Sequence, residues 1–239
     1  MLYKIITFIT SLLTYSFEKK LIKKIKSTNI NPKLIIDAGA HIGEYSEIFL
    51  KNFSTIKKIY CFEPQINIFK ILKKKFLKTK KVQCKNIALG EKNKIEYFNI
   101  GYHQRSSSFL HSNSSNLFYK IKSIILFGKV SNLVKYRSAI HVKSIDNIFK
   151  QNTIIDILKI DVEGYELNVL KGSLNLIKNN KIKIIIIEIT SHKMFKGYSS
   201  KKIEKFFKEN NFNLLSRHKF PFYPFEDRIY IHKSVAIKK

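Results

Sequence analysis

Along this chain, short and almost continuous apolar runs alternate with stretches whose apolar residues recur every three to four positions. Residues 33–37 (KLIID) read as a strand. Residues 43–53 follow as a helix with Tyr45, Ile48, Phe49 and Phe53 on one side. Residues 57–62 (KKIYCF) read as a second strand, and 65–78 as a helix with Ile68, Leu72 and Phe76 at spacing four. Residues 81–89 read as a third strand closed by Gly90. Residues 91–150 break the rhythm: a strand at 95–100, a Ser/Asn-rich loop at 105–116, a short strand at 139–145 and a helical turn at 145–150. The alternation then resumes, with strands at 154–161 and 181–190 and helices at 164–179 and 199–210. Two last strands, 212–216 and 228–236, have no helix between them. Apolar strands buried on both faces and separated by helices predict an α/β, doubly wound, mostly parallel sheet. The final pair predicts an antiparallel edge hairpin.

The 239 residues suit one such domain over 31–239, preceded by a helical extension over 1–30. Two cysteines, Cys61 and Cys84, exclude a disulfide framework and a four-thiolate zinc site. The formal charge of +28 would ordinarily point to nucleic acid or an anionic membrane. Against that, only Arg105, Arg137, Arg217 and Arg228 are arginines among 45 cations. Nucleic-acid readers favour arginine forks. Abundant Lys, Ile, Asn and Phe instead fit a coding bias spread over the surface, so a nucleic-acid partner is not expected. Residues 5–15 are apolar but too few to span a bilayer, which takes about 20. Lys19, Lys20, Lys23, Lys24 and Lys26 follow. Residues 1–26 therefore read either as a helix packed on the domain, the favoured choice, or as a peripheral contact with an inner membrane face. A soluble, cytoplasmic location is expected.

In doubly wound folds, ligands bind beyond the carboxyl ends of the strands. The first strand ends Asp37-Ala38-Gly39-Ala40-His41-Ile42-Gly43. The spacing is not the G-x-G-x-x-G of a dinucleotide site, and an acid two residues before the first glycine suits a cationic ligand such as S-adenosylmethionine. Glu63, before Pro64, ends the second strand and can accept both hydroxyls of a ribose. The third strand ends Asn86-Ile87-Ala88-Leu89-Gly90, where small residues can admit an adenine ring against backbone N–H groups. The fourth strand ends Lys159-Ile160-Asp161-Val162-Glu163-Gly164. There Asp161 either faces the site or pairs with Lys159, and Glu163 can cap the next helix.

These segments resemble the FkbM family of S-adenosylmethionine-dependent methyltransferases. The resembling stretches are IIDAGAHIGEYS (35–46), YCFEP (60–64), NIALGE (86–91), SIDNI (144–148) and LKIDVEGYELNVLKG (158–172). The resemblance implies the class I methyltransferase fold, with a seven-stranded sheet and an antiparallel edge hairpin, and O-methylation of a sugar or polyketide hydroxyl. It lays Asp37, Gly39 and Gly43 on the cofactor loop, with Glu63 as the ribose acid; Ala40, His41, Tyr45, Ser46, Pro64, Ile87, Ala88 and Asp161 complete the expected cofactor contacts. His41 stands where many relatives carry Asn.

Methyl transfer is an in-line displacement, so alignment of a hydroxyl oxygen matters most. A base to take its proton helps. Asp161 is the first candidate, then Glu163 and His192. Asp161 and Glu188 alone are too few to argue for a divalent metal, so none is expected. Ser106, Ser107 and Ser108 either line an acceptor pocket or belong to a flexible loop. The expected acceptor is a small molecule or glycan. The alternatives are an RNA methyltransferase and a non-catalytic, membrane-surface protein that binds S-adenosylmethionine.

Overall fold

A computed structural model describes residues 19–102, 107–127, 129–131, 133–190, 194–219 and 225–235. The candidate base His192, Ser106 and the apolar stretch at 5–15 lie outside them. The strands are β1 (Leu34–Ala38), β2 (Lys58–Phe62), β3 (Val82–Lys85), β4 (Ala88–Leu89), β5 (Lys94–Gly101), β6 (Val134–Lys143), β7 (Ile155–Ile160), β8 (Ile182–Thr190), β9 (Phe212–Lys219) and β10 (Phe225–His232). The helices are α1 (described over 19–26), α2 (Glu44–Asn52), α3 (Ile66–Lys75), α4 (Leu117–Phe127), α5 (Ile145–Ile148), α6 (Glu166–Lys171), α7 (Leu174–Lys178) and α8 (Ser200–Glu209).

The main sheet has seven strands in the order β3-β2-β1-β7-β8-β10-β9. Its first five are parallel, and β10 runs antiparallel to both β8 and β9. The strand order turns around between β1 and β7, the crevice where such sheets bind ligands.

Period two divides each central strand between two layers. In β8, Ile185, Ile187 and Ile189 pack with α6, α7 and α8, while Ile184 and Ile186 pack with α1, α2 and α3. Leu21, Ile22 and Ile25 of α1 are buried in that second layer, and Lys19, Lys20, Lys23 and Lys26 stay exposed. Residues 19–26 are thus a helix packed on the domain.

Three expectations are corrected. The single strand at 81–89 is two, β3 in the main sheet and β4 in a three-stranded sheet ordered β4-β6-β5. Asn86 causes the break: its side chain donates to the carbonyls of Glu63 and Pro64, both at 2.9 Å, and so ties the chain to the end of β2. The helix at 164–179 is interrupted at Gly172 and Ser173, where a Cβ on Gly172 would lie 1.9 Å from the Gly90 carbonyl oxygen. The short strand at 139–145 is the ten-residue β6, and α4 follows a Ser/Asn-rich segment that reads only as loop.

Candidate functional site

The same period-two rule assembles the site. Ile35 of β1, Ile157 of β7, Ile184 and Ile186 of β8 and Ile229 of β10 face the α1–α3 layer. Continuing each strand two residues at a time puts Asp37, Lys159, Asp161, Glu188 and Asp227 on that same face, toward the strand ends. Register completes the juxtaposition, with Asp37 beside Lys159 and Asp227 beside Glu188. In a chain of formal charge +28 this concentration of carboxylates is a local reversal of sign.

Lys159 is the centre of the cluster and is 1% exposed. Its Nζ lies 2.6 Å from Asp161 Oδ2 and 4.3 Å from the centre of the Tyr45 ring. Burial alone would push the ammonium down, but Asp161, Asp37 and Asp227 outweigh it and hold the pKa well up. Asp227 accepts from the Tyr45 hydroxyl at 2.6 Å, and burial raises its carboxyl to about 6. Burial also raises Asp37, against the pull of Lys159 and of the Ser46 hydroxyl that donates to it at 2.7 Å. The second oxygen of Asp37 is buried with no hydrogen-bond partner. Tyr45 and Ser46 therefore support the acids from below, Ser46 being fully buried.

The loop after β1 is shaped by its glycines. Gly39 has φ +77°, and a Cβ there would sit 1.8 Å from the Asp161 carbonyl oxygen. Only glycine lets β1 and the end of β7 approach this closely. Gly43 has φ +84°, and a Cβ would collide with Phe76 and Leu72, so its role is packing against α3. The N–H groups of Gly39 and Ala40 both donate to the Phe62 carbonyl at 3.0 Å.

His41, itself at φ +49°, donates its N–H to Glu63 Oε2 at 3.0 Å. Glu63 Oε1 accepts from the Gln65 N–H at 2.8 Å. Glu63 is 3% exposed, and burial raises its pKa to about 7. Each of its oxygens keeps a second lone pair for a further donor. His41 Nδ1 lies 3.3 Å from Glu44 Oε1, and its Nε2 is buried without a partner. Pro64 and Ile87 are partly buried, and Ala88 is buried in β4.

Beyond β7, Asp161 remains partly exposed, with one oxygen on Lys159. Oxygens of Asp161, Glu163 and Glu188 lie within 4.8 Å of one another, close enough to share a divalent cation. Glu188 was foreseen only as a partner in such a site. Burial, then Asp161, Glu163 and Asp227, push its carboxyl well above the usual range. The signal for it was an acid inside the otherwise apolar IIIIEI run. Glu166 ties the loop after β7: it accepts from the N–H groups of Gly164 at 2.9 Å and Val162 at 3.3 Å, and burial raises it to about 7.

Ser107 and Ser108 are buried and tied down. Ser107 donates to Gln65 Oε1 at 2.9 Å, and Ser108 donates to the Glu163 carbonyl at 2.5 Å. Further along, Asn113 donates to the Met194 carbonyl and Lys196 to that of His111. Residues 107–113 are thereby fastened across the ends of β7 and β8.

These residues fit S-adenosylmethionine. The unpartnered Asp37 oxygen calls for a donor, which an ammonium supplies. Glu63 has acceptor capacity for ribose hydroxyls, and the excess of carboxylates over Lys159 suits a sulfonium.

Among solved structures, the chain is similar to the methyltransferase FkbM of Methylobacillus flagellatus KT, at 16% identity and a TM-score of 0.55, covering 84% of this chain and 44% of that one. The chain thus spans less than half the length of that protein. It is also similar to an S-adenosylmethionine-dependent methyltransferase of Clostridium acetobutylicum ATCC 824, at 12% identity and a TM-score of 0.47, covering 97% and 99% of the two chains. An rRNA methylase of Streptococcus thermophilus shares 8% identity with a TM-score of 0.47, covering 89% and 94%. At 16% identity the likeness to the Methylobacillus flagellatus protein speaks for the fold alone. A search of curated proteins gave no match. The methyltransferase FkbM domain, however, matches residues 37–214, from the first acid of the site into β9. The chain belongs to the FkbM methyltransferase domain family, whose cofactor is S-adenosylmethionine.

Proposed function

We propose that this chain transfers the methyl group of S-adenosylmethionine to a hydroxyl of a sugar, a glycan or another small acceptor. The observation that carries this reading is the carboxylate group at the ends of β7 and β8. Asp161, Glu163 and Glu188 converge beside the Gly39 loop, and Glu188 is pushed well above the ordinary carboxylate range. Bound in the loop, the cofactor supplies an electrophilic methyl on a sulfonium.

The chain's own residues bind, align and accept a proton. Glu63 and Asp37 hold the ribose and the amino acid end. Lys159 fixes one oxygen of Asp161, which leaves the other to accept a hydrogen bond from an acceptor hydroxyl and orient its oxygen in line. Glu188, whose carboxylate is grouped with those of Asp161 and Glu163, takes the hydroxyl proton as general base. Residues 107–113, held to Gln65, Glu163 and Met194, shield the reacting oxygen from bulk water.

The test is methyl uptake from radiolabelled S-adenosylmethionine over a panel of free sugars, glycans and transfer or ribosomal RNA. An alkali-stable ether on a sugar hydroxyl supports the reading. Label on a nucleobase would move the chain to RNA, and the absence of turnover with any acceptor, despite cofactor binding, would favour a binding protein.

A further inference from the structure

The helix α4 presents an apolar face to solvent. Leu117, Ile121, Ile124 and Ile125 are 71%, 48%, 49% and 77% exposed. At about 100° per residue these four fall within one arc of roughly 100°. Tyr119 and Ser123, buried among the described residues of the helix, lie on the opposite side. There Ser123 donates to the Lys129 carbonyl at 3.0 Å, and the Tyr119 hydroxyl to the Ser131 carbonyl at 3.1 Å. The helix is therefore fastened down by its back at Tyr119 and Ser123, and the stripe of Leu117, Ile121, Ile124 and Ile125 is turned outward. Val130, just beyond the helix, continues the stripe at 53% exposure.

We propose that this face of α4 lies on an anionic lipid surface, parallel to it. Charge complementarity selects this occupant. Positions 120 and 122, both lysine, fall at the two borders of the apolar arc, and Lys120 and Lys129 are exposed. An apolar stripe bordered by lysines matches the boundary between acyl chains and anionic headgroups. Protein–protein interfaces, in contrast, are depleted of lysine. A second copy would bring another formal +28 against the first. With 11 residues the helix is too short to cross the bilayer, and no described helix is long and apolar enough to do so. The attachment is peripheral. It is independent of the proposed methyl transfer.

The experiment is co-sedimentation of the full chain with vesicles of phosphatidylcholine containing phosphatidylglycerol, and with phosphatidylcholine alone. The chain is expected to bind the anionic vesicles and to be released by high salt. Burying an isoleucine at the interface accounts for about a tenfold gain in affinity or more. The double variant Ile121→Glu/Ile125→Glu should therefore lose about a hundredfold, with its circular dichroism melt unchanged because both side chains are already in solvent. Ile66→Glu/Ile71→Glu, which alters two exposed isoleucines of α3, should bind as the unaltered chain does. Undiminished binding of the α4 variant would overturn the proposal, as would equal losses in both variants. So would a wild-type chain that ignores vesicles and changes its oligomeric state only when α4 is altered.

Discussion

Replacing Lys159 with methionine should destabilise the protein strongly at neutral pH and much less in mild acid. The side chain is 1% exposed, and its ammonium is the cation that Asp37, Asp161 and Asp227 share. Methionine fills much of the same volume, so the loss is chiefly electrostatic. Removing one partner of a buried ion pair costs about 3–5 kcal/mol, because the remaining charge is left uncompensated. For a domain of this size, about 2–4 °C of Tm per kcal/mol translates that into a fall of roughly 6–20 °C. The pH dependence follows from the carboxyls. Burial already lifts Asp227 to about 6 and raises Asp37. Without the ammonium beside them, both rise further. Their folded-state pKa values then exceed the unfolded ones, so the variant gains stability as pH falls and the acids take up protons. Urea unfolding of both proteins at pH 7.5 and pH 5 measures this. A loss under about 1 kcal/mol at pH 7.5, or the same loss at both pH values, would refute the account of Lys159 as the shared counter-charge.

Further expectations follow from the same geometry. Gly39→Ala should lower the melting temperature far more than Gly197→Ala: both glycines have φ near +78°, but a Cβ at Gly197 meets nothing within 4 Å, whereas at Gly39 it meets the Asp161 carbonyl oxygen at 1.8 Å. Thermal melts of the two variants isolate the close approach from the backbone strain they share. Asp161→Asn should cut the initial rate by about 10²–10⁴ if the carboxylate orients or deprotonates the hydroxyl, with cofactor affinity changed far less; a near-normal rate with only a lowered Tm would reduce it to the partner of Lys159. EDTA should leave methyl transfer unchanged, and a loss restored by Mg²⁺ would assign Asp161, Glu163 and Glu188 to a cation.

Much of this was legible in the sequence because the central strands are continuous β-branched runs. Such runs form buried parallel strands whatever surrounds them, and their ends announce the ligand crevice. Asp37, Glu63 and Asp161 were found that way. Asp227 was not, because β10 reads as an ordinary edge strand and its partnership with Tyr45 joins positions far apart in the chain. The Lys159–Asp161 pair is legible from its spacing of two along one strand, but its company of three acids depends on register across β1, β7 and β10. The break between β3 and β4 escaped notice because a side-chain amide, Asn86, causes it without any glycine or proline. Helix α4 escaped for a different reason. Its residues are apolar almost all round, with Ile124 beside Ile125 and Leu126 beside Phe127, so no amphipathic period marks it after the Ser/Asn-rich segment.

The most direct test of the central claim is calorimetric titration of S-adenosylmethionine into the unaltered chain and into Glu63→Ala. Glu63 is the buried carboxylate that closes the cofactor loop, accepting from His41 and Gln65. Hydrogen bonds to a charged acceptor contribute about 1.5–3 kcal/mol. The account predicts one site in the unaltered chain and an affinity lower by about tenfold to hundredfold in the variant. It also predicts tighter binding as pH rises through about 7, where Glu63 loses its proton. Unchanged affinity in Glu63→Ala, measured on a folded variant, would contradict it.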